Sequence, residues 1–488
     1  MPGLSEIAAA TENSASGEET APQDRPILQE PQSWLLIFEA VATLALGAVF
    51  LSGVILEKNP LNGFPHLTGW EWPWRSDEDI FRLAVFLLGP FALINFVLRK
   101  VEGKSPPRVS IYLGFLALGN FLMQIMAMLA DARGTELLRD IVASPSATSY
   151  YLDASRIDHL AVWLRHFDQA SLGFHSSTHP PGPILFYYAF FKGFGFPEGA
   201  LIGGFAVGFV GSLGILVTYA FAGLWTGDRR TRLIASAFYA LLPALTIFFP
   251  EMDQVYPILS MLLILFWCKS LESRREIPWE ALCFGAVLFV SVFFAYNLLA
   301  TGAFLAYYAI YWLWRQRWRR ASWLSLLRIS AISGAVCAAA FLALWLSTGY
   351  NPIASFRHAL AYQAIYSAML RRPYLISTLV DPYDFFLGAG ILALPLLLFH
   401  LYRMSQEFDP RRKEIALTLI GLATILTIDF TGILRGETSR VWLFLQPLIV
   451  VPVAMELSRY RGRWRLALFS MQWLIVACLK AKMIFIRP

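Results

Sequence analysis

The sequence predicts an all-α polytopic membrane protein, and three observations carry that prediction. Of 488 residues, 57% are hydrophobic and only 15% are charged, whereas soluble domains carry about 25% charged residues. Apolar runs recur from residue 34 to the end of the chain. About 20 such residues in a helix cross the ~30 Å hydrocarbon core. The short alternating segments of a membrane β-barrel are missing from the pattern.

Residues 1–32 are rich in Glu, Ser, Ala and Pro and have no apolar core. With no basic stretch leading into an apolar one, they read as a disordered tail and not as a signal peptide. Candidate spans follow at 34–56, 80–100, 109–130, 183–197, 199–224, 232–249, 255–271, 280–297, 301–314, 326–347, 385–402, 414–432, 441–457 and 465–485. Together they predict about 12–14 transmembrane helices by span length. The organisation reads as two leading spans within 33–107, a module over 108–347, a connection over 348–384, and a C-terminal group of spans over 385–488.

Short basic clusters separate the spans: "RKVEGKSPPR" (99–108), "DRRTR" (228–232), "ESRRE" (272–276), "RQRWRR" (315–320), "YRMSQEFDPRRKE" (402–414) and "RYRGRWR" (459–465). The positive-inside rule places them in the cytoplasm. Two long connections, 131–181 and 348–384, then lie outside the cell membrane. Between residues 181 and 228 an odd number of crossings is required, yet 183–224 is long enough for two. Either the run after His179 dips partway into the membrane, or one basic connection breaks the rule.

The net charge of +6 comes from these interfacial clusters, so it argues against nucleic acid as a partner. Cys268, Cys283, Cys337 and Cys478 lie inside apolar stretches, with neither metal nor redox spacing. The chain has no GxxxxGK[ST] loop, no Rossmann fingerprint after a strand and no GxSxG elbow. Any chemistry therefore belongs at the membrane interface.

Both long connections carry helical periodicity and predict amphipathic surface helices. In "SRIDHLAVWLRHFDQASL", Ile157, Leu160, Ala161, Leu164 and Phe167 recur at three- and four-residue spacing, and Ser155 with Asp158 fits a capping box. In the second, Asn351 suits the N-cap and Pro352 the first helical position, while "RRP" at 371–373 supplies cations and a stop.

Ionisable residues collect on that same side. Four of the seven histidines lie in 159–179, Asp153 sits in "SYYLDAS", and Glu251 and Asp253 lie in "FFPEMDQVYP". Asp381 and Asp384 lie in "LVDPYDFF", and Asp429 precedes "RGETSR" with Arg435, Glu437 and Arg440. Ionisable groups at membrane depth are costly and usually functional. Each also has a bland reading: Glu437 can pair with Arg440 three residues on, Asp429 can neutralise Arg435, and Asp384 can cap a helix. "HSSTH" spaces His175 and His179 by four, but the prolines that follow break the helix a zinc motif needs. No metal ligand set or cofactor is indicated, and a divalent cation on Asp153 and other carboxylates stays open.

At Asp153 and "THPPGP" the chain resembles the GT-C superfamily of membrane glycosyltransferases, which includes protein O-mannosyltransferases and lipid A aminoarabinose transferases. That family carries an acid early in its first external loop and a His-Pro-Pro or Lys-Pro-Pro element about two dozen residues on. "FFPEMDQVYP" and the late "RGETSR-VWLF" also fit, and the resemblance covers about residues 109–458. Two features depart from the pattern: the leading spans are additional, and "YLDA" has a single Asp instead of an acidic pair.

The resemblance implies transfer of a sugar from a polyprenyl-phosphate or polyprenyl-diphosphate donor to a glycan, lipid or protein acceptor on the extracytoplasmic face. In that reading Asp153 is the general base and His179 its catalytic companion. Arg435 and Arg440 hold the lipid phosphate. Glu437, Asp253, Arg371, Arg372, His175 and Tyr256 complete the substrate site. Membrane lipids are the remaining partners. The alternative is a polytopic transporter or lipid-linked sugar flippase, a class marked by internal repeats and broken midplane helices.

Overall fold

The computed structural model describes residues 33–57, 71–75, 79–101, 108–370 and 372–487. The expected tail at 1–32 and Arg371 lie outside the described residues. Those described are helical throughout, and their only bridge joins Trp74 to Met483. Eight helices are long and apolar enough to cross a membrane: Trp34–Ile55, Ile80–Lys100, Val109–Leu129, Glu198–Ala222, Met252–Glu272, Arg320–Thr348, Lys413–Thr431 and Gly462–Lys482. Tyr374–Ala389 and Ala393–Gln406 form a ninth if their 102° bend is counted within one span. The protein is thus a polytopic all-α membrane protein.

By length, the expected count of 12–14 is too high. The run at 183–197 is a helix of 13 residues, Gly182–Phe194. It covers about 20 Å, short of the hydrocarbon core. It packs against the start of Glu198–Ala222, where a side chain on Gly199 would lie 2.7 Å from the Phe190 carbonyl oxygen. On that length the run after His179 does not span by itself, and Glu198–Ala222 is the one helix between residues 181 and 228 long and apolar enough to cross. The run at 232–249 breaks at Leu241–Leu242 into Arg229–Ala240 and Pro243–Ile247. Trp279–Phe294, Gly302–Arg315 and Pro447–Leu457 have 16, 14 and 11 residues. Of these, Pro447–Leu457 is enclosed by its neighbours, with every residue buried.

Local signals set several boundaries. Asp228 caps Arg229–Ala240 by accepting from the Arg230 and Thr231 amides at 3.1 and 2.9 Å. Asn351 accepts from the Ile353 and Ala354 amides at 3.1 Å each and starts the surface helix Pro352–Leu370 as expected. The first connection differs from expectation. It folds as Thr135–Ala143, Tyr150–Ser155 and Leu160–Arg165 with two 3-10 turns, not as one amphipathic helix. Ser155 donates to the Leu152 carbonyl at 2.7 Å and caps nothing, so the capping box does not form.

The two leading helices pack back onto the end of the chain, with Phe91 stacked on Trp473 at 4.9 Å. The short segment 71–75 that follows the first is held between distant elements. The Arg75 amide donates to Lys482 O and the Ile484 amide to Pro73 O, each at 2.8 Å. The Arg75 guanidinium pairs with Asp131 at 2.5 Å.

Candidate functional site

A cavity of about 590 Å³ opens on the face that carries both long connections. Polar residues in its lining are His175, His179, Asp253, Arg372, Arg435, Glu437 and Arg440. Apolar ones include Leu299, Phe356, Leu360, Ile433 and Leu434. Residues separated by 266 positions in sequence, from His175 to Val441, thus meet around one space. The surface helix Pro352–Leu370 roofs it through Phe356, Leu360, Gln363 and Tyr366.

The arginine segment is held from below by two buried aspartates of the Tyr374–Ala389 helix. Asp381 accepts from the Gly436 amide at 3.0 Å, and its carbonyl accepts from the Thr438 hydroxyl at 2.6 Å. Asp384 accepts from the Ser439 amide at 3.0 Å and from Trp72 Nε1 at 2.7 Å. Asp384 therefore anchors this turn from within a helix; it does not cap one. Gly436 and Glu437 both take left-handed backbone, with φ of +75° and +53°. At Gly436 a Cβ would meet the Arg372 guanidinium at 2.8 Å, so a side chain there would displace that guanidinium and strain the left-handed backbone. For Glu437 the conformation is unfavourable and is held by its surroundings.

Glu437 is the hub of the cations. It accepts from Arg372 at 2.9 Å and from Arg440 at 2.7 Å. Burial alone would raise its carboxyl, but the Arg440 and Arg372 guanidiniums outweigh that and hold it below the usual glutamate range. Arg440 also faces the buried Glu251 at 3.7 Å. Its Nε makes no hydrogen bond. Burial, set against Arg440 and reinforced by Asp253 and Glu437, pushes Glu251 up to about 8. Arg435 has no carboxylate partner among the described residues. It donates to the Gly432 carbonyl at 2.6 Å and the Arg372 carbonyl at 3.1 Å, and lies 5.3 Å from the Tyr374 ring. Asp429 does not neutralise it; one of its carboxylate oxygens is buried with no hydrogen-bond partner.

The "HSSTHPP" elbow presents both histidines. Ser176–Thr178 form a 3-10 turn, and His179 leaves it extended, with φ −119° and ψ 156°. Pro180 and Pro181 then lead into the short helix Gly182–Phe194. The imidazoles of His175 and His179 stack at 4.9 Å, and Tyr150 meets both edge-on. Burial and the nearby charge of Arg440 push His179 down to about 4, against the opposing effect of its bond to the His175 carbonyl. Burial, His179 and Arg440 lower His175 as well. Both rings are therefore neutral at pH 7. His179 Nδ1 lies 3.0 Å from the His175 carbonyl and 3.0 Å from Thr178 Oγ1, and that hydroxyl itself donates to the same carbonyl. Only a protonated Nδ1 satisfies this set, which leaves Nε2 as a hydrogen-bond acceptor.

Asp153 is the main correction among the site residues. It does not line the cavity. It is 2% exposed, accepts from the Gly173 amide at 2.9 Å, and pairs with Arg156 at 3.4 Å. Its carboxylate ties the start of the first connection to its end, where Gly173 leaves room for it. Tyr256 also stays off the cavity surface; it is buried beside Tyr150 and Asp253. Asp253 reaches the cavity from the 3-10 turn Met252–Gln254, and with Glu437 it is one of two acids in the lining.

Sequence reading missed Tyr296, Asn297, Gln363 and Tyr366, which add polar groups to the lining. Nothing in their local pattern marks them, since tertiary packing alone brings them to the cavity. Trp72 was missed as well, although a Trp-Pro-Trp in a short interhelical segment was a visible signal. Among the described residues no group of three or more His, Cys, Asp or Glu is arranged to hold a metal ion. Compared with known proteins, the chain matches no protein-family model and no curated sequence.

Proposed function

We propose that this protein is an integral membrane glycosyltransferase that moves a sugar from a polyprenyl-phosphate-type donor to an acceptor hydroxyl on the extracytoplasmic face. The observation that carries this reading is a cavity of about 590 Å³ whose lining combines arginines, Asp253 and His179 with apolar side chains. A lipid-linked sugar phosphate needs such a pairing: a phosphate clamp and sugar contacts on one side, and a place for the first isoprene units on the other. Arg435, committed only to carbonyls, and Arg440, which also lines the cavity, are the residues that suit the phosphate.

In this reaction the acceptor oxygen attacks the anomeric carbon as the bond from that carbon to the phosphate oxygen breaks. The hydroxyl proton passes to a base, and the bonding pair leaves with the lipid phosphate. Arginines that meet the growing phosphate charge in a dry site lower the barrier. We assign the base role to Asp253 in place of Asp153, because Asp253 lines the cavity and, unlike Glu437, is not paired with an arginine among the described residues. His179 Nε2, an acceptor with no proton to give, suits an acceptor or sugar hydroxyl and not an ionised phosphate.

The test uses purified full-length protein with labelled polyprenyl-phosphate sugar. Formation of a glycosylated acceptor that D253N abolishes and D153N retains supports the reading. Movement of the sugar lipid between leaflets without a covalent product overturns it in favour of a flippase. Transfer that survives D253N removes Asp253 as base.

A further inference from the structure

On the opposite, arginine-rich face a second cavity of about 190 Å³ lies where the end of Ile80–Val101 meets the start of Gly462–Lys482. Leu98, Arg99, Gly462, Arg463, Arg465 and Leu466 line it. Arg99 and Arg463 are exposed, and neither forms an ion pair among the described residues; Arg463 lies 5.7 Å from the Trp464 ring. Arg465 is 2% exposed, donates to the Tyr460 carbonyl at 3.1 Å and forms the back wall. The flanking leucines belong to two helices that qualify as membrane spans.

We infer that this cavity binds the headgroup of an anionic phospholipid, its phosphate between Arg99 and Arg463. Three considerations favour a lipid over a free anion. The cavity sits at the ends of two spans, at the depth where headgroups lie. Guanidiniums in a concave site bind phosphate oxygens through paired N–H donors, which a flat charged surface does not offer. The lining turns apolar at Leu98 and Leu466, so acyl chains can continue down the helices from the phosphate. Cations without acidic partners at the water boundary otherwise rely on solvent alone. A lipid bound here would also pin the first pair of helices to the last span, at the end remote from the segment 71–75. This inference is independent of the proposed transfer reaction.

The test uses the delipidated full-length protein in detergent, with binding followed by native mass spectrometry and thermal shift. The probes are phosphatidylglycerol, phosphatidylcholine and inorganic phosphate. Wild type is expected to bind phosphatidylglycerol at least about 10-fold tighter than phosphatidylcholine, a fold-change typical of a charge-assisted contact, and to ignore millimolar phosphate. R99Q/R463Q is expected to lose that preference while keeping its lipid-free melting temperature. R461Q removes the same charge from the same cluster but not from the cavity, and it is expected to bind like wild type. Equal loss in R461Q means diffuse surface charge and overturns the site. Unchanged preference in R99Q/R463Q overturns it too. Phosphate binding as strong as phosphatidylglycerol overturns the lipid as occupant.

Discussion

Two clusters of charge are sunk into this protein, one toward each end of the helical bundle, and they are built for opposite purposes. Toward the arginine-rich face, Arg403 donates through Nε to both oxygens of Glu456, at 3.0 and 3.1 Å, and through NH2 to Glu39. The three come from helices Ala393–Gln406, Pro447–Leu457 and Ser33–Ile55, and Arg403 is the most exposed of them, at 7%. Each charge is answered by protein. The void near this cluster, flanking His400 and Arg459, is about 20 Å³, scarcely room for one water. On the other face, Arg372, Arg440 and Glu437 pair with one another but do so around open space, and Arg435 is left with carbonyls alone. Ionisable residues at membrane depth suggest function in general. Here only the cluster that borders a cavity keeps capacity for a ligand, while the closed one joins three helices.

Mutations that interchange these behaviours test the comparison. The largest expected effect is R403L. It strands two buried carboxylates, and losing one partner of a buried pair costs about 3–5 kcal/mol. A large fall in melting temperature in detergent, with unchanged donor affinity in whatever folds, is the expected result. Donor binding lost at wild-type stability would erase the distinction between the clusters.

At the open cluster the expected signs reverse. D253N should lower transfer about 100- to 10,000-fold, the range of general-base loss, with little change in melting temperature. D153N should instead destabilise the first connection by about 1–3 kcal/mol through the lost tie to Gly173 and leave turnover per folded molecule nearly intact. R435A should weaken donor binding by about 1.5–3 kcal/mol, the worth of a charged hydrogen bond, seen as a raised KM for the lipid donor.

W72F keeps an aromatic side chain, though a smaller one, and deletes the Nε1 donor to Asp384. It should cost about 1 kcal/mol and loosen the turn that carries Glu437 and Arg440, again read as a higher donor KM.

The smallest effect is a pH dependence of stability. Unfolded histidines bind a proton below about 6.5, whereas folded His179 does so only near 4. Between those values the unfolded state holds more protons, so acid favours unfolding there, and the contribution vanishes above pH 7. Glu251, pushed up to about 8 in the fold, works in the opposite sense over this interval, so the histidine share is read by difference. From pH 7 to pH 5 the melting temperature of H175N/H179N should fall less, or rise more, than that of wild type by a few degrees.

The closed cluster and the open one were not equally legible. "RGETSR", "MDQ" and the "HPP" elbow stand out because they interrupt apolar runs near span ends. Glu39 and Glu456 sit singly within long apolar stretches, and nothing local shows that both face Arg403. Asn351 and Pro352 marked a helix start correctly because capping is a contact among neighbours in sequence. Ser155 and Asp158 carry the same signal, yet the chain turns elsewhere there because Asp153 binds Gly173 twenty residues on.

By itself the sequence determined the all-α membrane character, the apolar spans, the basic connections and the face on which polar residues gather. These follow from composition and from periodicity along one helix, and each residue contributes to them wherever its neighbours lie. Tertiary structure alone decided which apolar runs are long enough to cross. It also decided that the helix after His179 is too short to span by itself, that Asp153 is a tie within its loop, and that Asp253 reaches the cavity. Those outcomes depend on contacts between residues tens to hundreds of positions apart. Such contacts fix where a backbone bends and which side chains are left facing empty space, and no local pattern encodes them.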